Sequence, residues 1–171
     1  MASPIEHGQA LAEFAAELTP RLFGELEQAR VVATDRDPRA QAAREWECFA
    51  LYACVRGLVA AGGFNRETAS AIDAMHERVL ERWTASSDST EPFEVRRARL
   101  AERYAEYGTI GQEGGAGGAA TVTERLGEAA ARHMTAPATP GEGLAEMVGS
   151  LHEALAEGAA ALLRERALPP R

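Results

Sequence analysis

The chain has no lysine; all 18 of its basic residues are arginine. That absence closes several classes of chemistry. Without lysine there is no P-loop or kinase-type phosphate contact from an ammonium group, and no Schiff base to a carbonyl or pyridoxal. The same bias toward Arg, Ala and Gly points to a genome rich in G and C, and so to a bacterial source. Bulky hydrophobic residues are scarce too. Leu, Ile, Val and Phe together number 31 of the 171 residues, just under the level of about one fifth below which charged chains tend to disorder. Alanine, the best helix former, fills the gap. The expectation is closely packed helices around a thin core, with modest stability or support from dimerisation.

Long apolar runs are also missing. A membrane span needs about 18 or more apolar residues in a row, and the most apolar stretch, Cys48–Phe64, is broken by Arg56, Gly57, Gly62 and Gly63. Met1–Leu18 carries Glu6, Glu13 and Glu17 and no basic start, so no signal peptide is expected. Cys48 and Cys54 lie six apart on one expected helix, about 9 Å along its axis, and cannot bridge each other. A reducing, cytoplasmic setting is the simplest expectation. The formal net charge of −8 repels nucleic-acid phosphates and anionic lipid over the surface as a whole. No segment alternates as a strand does, and no internal repeat is evident.

Helical spacing, by contrast, runs through the whole chain. A first segment over about Pro4–Val32 places Leu11, Phe14, Leu18, Leu22 and Leu26 on one stripe. Thr19-Pro20 interrupts it, and because the stripe keeps its phase a kink is favoured over a restart. Asp37-Pro38 reads as a cap followed by a first-turn proline, opening a second helix that Gly62-Gly63 stops. This helix is apolar on every side between Cys48 and Ala61 apart from Arg56, which marks it as the central element. Asn65 caps a third helix over about Arg66–Trp83. The short link between the two predicts an antiparallel hairpin. One register would set Trp46 opposite Trp83, Ala53 opposite His76 and Arg56 opposite Asp73.

A fourth helix is expected from about Glu91 to Tyr107, ending at Gly108. The glycine-rich stretch 108–120 then reads as a flexible loop or lid. Thr121 and Glu124 look like a capping box for a short helix to about Met134. Thr139-Pro140-Gly141-Glu142 looks like another, opening a last helix whose stripe is Leu144, Val148, Leu151, Leu155 and Leu162. The fold class expected is all-α. It is an antiparallel helical bundle of four main helices with one or two short accessory helices, in a single domain over residues 1–171.

Candidate sites follow from polar residues placed among apolar ones. Arg56 must find a partner, because an unpaired buried charge is very costly, and the hairpin register offers Asp73. His76 shares the inward face of Ile72, Met75 and Val79. With Tyr52, these residues (Arg56, Asp73 and His76) outline a candidate pocket for a small anion. Asp73 and His76 have the spacing of one metal-ligand pair, but one pair cannot fill four positions and no Glu-x-x-His accompanies it, so no metal or cofactor is expected. Arg96, Arg99 and Arg103 share a stripe that reads as a solvated face or the rim of an interface, with nucleic acid as a disfavoured alternative. Gly115–Ala120 matches a loose dinucleotide fingerprint, but its mechanism needs a preceding strand. Cys54 beside His76 is a poor nucleophile in so apolar a setting, and no catalytic constellation emerges. The balance leans against an enzyme. The expected function is a helical bundle acting through protein contacts, a homodimer through the last helix being one form of it. The alternative is a small anionic-ligand binder at Arg56, Asp73 and His76.

Overall fold

The computed structural model describes residues 3–86, 91–114 and 119–167, with backbone alone for 119–120 and 166–167. It contains six helices and, among the described residues, no strand: α1 Pro4–Gln28, α2 Arg36–Gly62, α3 Arg66–Ala85, α4 Phe93–Glu113, α5 Ala119–Thr135 and α6 Leu144–Ala167. None of them is long and apolar enough to cross a membrane. Ser3 opens α1 with a capping box: its Oγ accepts from the Glu6 amide, and its own amide donates to Glu6 Oε2. The helix continues through Pro20 as one element.

Four element boundaries differ from the sequence expectation. The cap of α2 is Asp35, two residues earlier than Asp37, and Pro38 lies inside the first turn. α4 starts at Phe93 and runs past Gly108 to Glu113, so half of the expected loop is helix; residues 115–118 lie outside the described residues. Side-chain packing of Tyr107 and Ile110 onto the core rewards continued helix there, outweighing the roughly 1 kcal/mol that each of Gly108 and Gly111 costs. α5 already includes Thr121, which therefore does not cap it. α6 begins at Leu144, after Gly143 adopts φ +81°, a left-handed conformation that suits glycine.

α2 touches each of the other five helices and is the central element. At one end the hairpin lies close to the expected register, Trp83 Nε1 reaching Glu47 next to Trp46, but Arg56 pairs with Glu153 and not with Asp73. α3 packs chiefly on α1, the two running the same way, with Gly8 against Ala71–Met75 and Arg82 reaching the Ala12 carbonyl. A Cβ at residue 8 would lie 2.3 Å from the Ala71 oxygen, so glycine alone permits this approach. Because α2 is apolar all round, its sequence does not say which side α3 should take; the small residues of α1 decide it. α6 lies along α2 with a similar close approach at Gly57, facing Ala156–Ala160. α5 and α6 form an antiparallel pair crossing at Gly127 and Gly149. Leu144, Val148 and Leu155 are buried in the core that α6 shares with α2 and α5. Leu151 and Leu162 of the same stripe are only part-buried.

Candidate functional site

The residues singled out from sequence do not form one pocket. Arg56 Nη1 donates to Glu153 Oε1 of α6 at 2.5 Å, and Thr123 Oγ1 of α5 donates to the same oxygen at 2.7 Å. These two donors hold the Glu153 carboxyl below its usual range, though its partial burial opposes them. Arg56 is thus a tie among three helices. Its expected partner Asp73 stands exposed on α3. His76 Nε2 meets the Tyr104 hydroxyl at 2.9 Å, and burial pushes its pKa down. Tyr52 lies between Tyr104 and Tyr107, with ring centroids 5.5 Å from each. Tyr52 and His76 therefore meet around Tyr104; Asp73 is near enough to act on the His76 charge and Arg56 on Tyr52, but Arg56 and Asp73 do not pair with each other.

Sequence reasoning passed over His152. It is fully buried, stacked on Phe49 at 4.0 Å, with Nδ1 donating to the Phe49 carbonyl at 3.1 Å. Burial pushes its pKa down to about 3. Its position four residues after Val148 and three before Leu155 was the available signal. Tyr107 is also fully buried, and among the described residues neither its hydroxyl nor His152 Nε2 has a hydrogen-bond partner. Burial pushes both cysteine thiols up to about 12, so neither supplies a thiolate.

The arginine stripe of α4 is not a solvated face. Arg103 grips the buried Glu45 with two hydrogen bonds, of 2.7 and 3.0 Å, and Arg99 lies 3.5 Å from the same carboxylate while binding Glu91. Arg96 donates to both Glu47 oxygens, at 2.8 and 2.7 Å, and its guanidinium sits 4.0 Å over the Trp83 ring. α2 supplies the carboxylates Glu45 and Glu47, and α4 supplies the cations. Spacing on α4 alone could not reveal this, because the partners lie about fifty residues earlier.

A groove of about 600 Å³ opens between α1, α2 and α3, with Arg96 of α4 at its edge. It falls within the range of about 300–1,000 Å³ usual for small-molecule sites. α1 contributes Ala12, Ala15 and Ala16, and beyond them Thr19, Pro20 and Phe23; α2 contributes Trp46 and Leu51, and α3 Val79 and Trp83. Proline at position 20 lacks the N–H that the Ala16 carbonyl would otherwise use. Trp46 Nε1 is committed to the Thr19 carbonyl at 2.9 Å, and Trp83 Nε1 to Glu47 at 3.1 Å.

Four arginines line this groove against two glutamates, in a chain of net charge −8. Three are paired: Arg39 with Glu27, Arg82 with Glu13 and Arg96 with Glu47. Arg44 has no carboxylate partner among the described residues, and its Nε is buried without a hydrogen bond. Its charge is felt by Glu91, whose carboxylate is held by Arg99. A guanidinium left with unused donors beside an apolar groove is suited to bind an anion. Among the described residues no group of three or more His, Cys, Asp and Glu is placed to hold a metal. Comparison with known proteins finds no matching family model, no matching curated protein and no matching solved structure.

Proposed function

We propose that this helical bundle binds a small amphipathic anion in the groove between α1, α2 and α3, without catalysing a reaction on it. The observation that supports the reading is Arg44, a cation lining the groove that makes no ion pair with any described residue. The site keeps the ligand class expected from the sequence and moves it from Arg56, Asp73 and His76 to the other side of α2.

Titration with anilinonaphthalene sulfonate tests this. Arg44→Gln should weaken binding roughly tenfold or more, the scale of a lost charged hydrogen bond, while Arg56→Gln leaves it within twofold. Equal affinity in the parent and Arg44→Gln overturns the groove reading; loss in Arg56→Gln alone returns the site to the residues chosen from sequence.

A second reading, contact with another protein or a second copy, rests on Phe64. This residue is 95 % exposed at the turn between α2 and α3, beside a 250 Å³ hollow lined by Leu58, Ala61, Thr68 and Leu163. Light scattering after size exclusion tests the self-association form. A dimer that Phe64→Ser dissociates supports it, and a monomeric parent at tens of micromolar overturns it.

A further inference from the structure

The charged rim of the groove restricts its ligand further. We infer that the groove takes a ligand with one negative charge and selects against a second; this names the ligand class of the same site and rests on the groove reading above. Arg39, Arg44, Arg82 and Arg96 line the groove. Arg39 sets Nε and Nη2 on the two oxygens of Glu27, a fork on a carboxylate that leaves little of the guanidinium unused. Arg96 gives Nη2 to both Glu47 oxygens and stands over the Trp83 ring. Arg82 pairs with Glu13 and donates Nη1 to the Ala12 carbonyl at 3.0 Å. Three guanidiniums are thus held by three carboxylates. Arg44 has none among the described residues, so one positive charge is left over.

That surplus does not depend on which pairs form. An arginine that released its glutamate to reach a second anionic group would leave the freed carboxylate beside the ligand. The charge of the site would be unchanged, and repulsion between like charges would replace an ion pair. The neighbouring charges balance as well. Arg99 holds Glu91, Arg103 holds Glu45, and Arg78 lies 3.5 Å from Glu13 and 3.2 Å from Glu81. The chain has no lysine and a net charge of −8, which opposes each further negative charge at longer range. A monocarboxylate or monosulfonate therefore matches the groove. A phosphate monoester, with about −1.5 to −2 at neutral pH, or a dicarboxylate brings charge that no other arginine of the rim is free to meet.

Calorimetric titration of the full chain with naphthalene-1-sulfonate and naphthalene-1,5-disulfonate tests this, since the ring is the same and only the charge differs. In the parent the disulfonate should bind no more than about fivefold tighter, the most that an exposed charge contact usually adds. Glu27→Gln frees a second guanidinium, Arg39, five residues before Arg44 on α2 and about 7.5 Å from it along the axis. Glu27 and Arg39 form a surface pair, their side chains 35 % and 47 % exposed, so the variant should fold. There the ratio of disulfonate to monosulfonate affinity should rise roughly tenfold, the scale of one charged hydrogen bond. A disulfonate that binds the parent more than about fivefold tighter, or a ratio that does not rise in Glu27→Gln, overturns the single-charge inference. The anion groove survives either result if monosulfonate binding is still lost in Arg44→Gln. Binding of both ligands that is indifferent to Arg44→Gln, or no binding of either, overturns the two together.

Discussion

His152 illustrates how one buried polar residue ties stability to pH. Its folded pKa of about 3 lies below the value near 6.5 expected in the unfolded chain. Between those values the unfolded chain takes up a proton that the folded chain refuses, so stability falls as pH drops through that window, by up to about 1.4 kcal/mol per unit. Urea midpoints measured from pH 7 to pH 5 should therefore decline, and His152→Leu should flatten the decline whatever it does to stability at pH 7. The paired carboxylates with lowered pKa, such as Glu91 and Glu153, lose their contribution at lower pH, below the usual range near 4.5. His76 acts in the same direction as His152, so some slope should persist. A slope unchanged in the variant would mean that His152 is charged within the fold. At this same scale Arg44 is legible only after folding. Its sequence neighbours, Glu45 and Glu47, look like its partners, yet they turn to Arg103 and Arg96.

Among the elements, the glycines predict opposite signs. At Gly8 a Cβ would meet the Ala71 oxygen and the Ala74 methyl at 2.3 and 2.8 Å. Gly8→Ala should push α1 from α3 and destabilise by about 1–3 kcal/mol, as overpacking does. At Gly24, within the same helix, a Cβ meets nothing within 4 Å. Gly24→Ala should stabilise by about 0.4–1 kcal/mol by restricting the unfolded chain. Thermal unfolding of the two variants reads both effects, and a shift of the same sign in each would refute the account of the α1–α3 contact. These positions also explain why helix spacing was readable and helix partnership was not. The stripe Leu144–Leu162 announces α6 but not that α2 and α5 would consume it. Asn65 caps α3 as its sequence suggests, its Oδ1 accepting from the Thr68 amide at 2.9 Å; where α3 docks is decided by Gly8.

The whole molecule is acidic while its groove is lined by more arginines than glutamates, and this contrast should show in solution. A bound amphipathic anion stabilises the fold by mass action, about 3 kcal/mol at a hundredfold excess over Kd. For a chain of this length that is a rise in Tm of about 6–12 °C, which Arg44→Gln should largely abolish at the same ligand concentration. The arms of the network outside the groove, Arg99 and Arg103 on Glu45, should leave this rise intact only while α4 stays docked, since they join α2 to α4.

The amino-acid sequence determined that the chain is helical, where most helices lie, that α2 is central and that lysine chemistry is closed to it. Those properties depend on period, caps and composition, all of which act between residues a few positions apart. The tertiary structure decided which faces meet: Arg56 with Glu153, α3 with α1, and the α4 arginines with the glutamates of α2. Such pairings depend on how closely two backbones approach, and in an alanine-rich chain with broadly apolar helices many approaches look alike until the glycines that permit the tightest ones are placed in space.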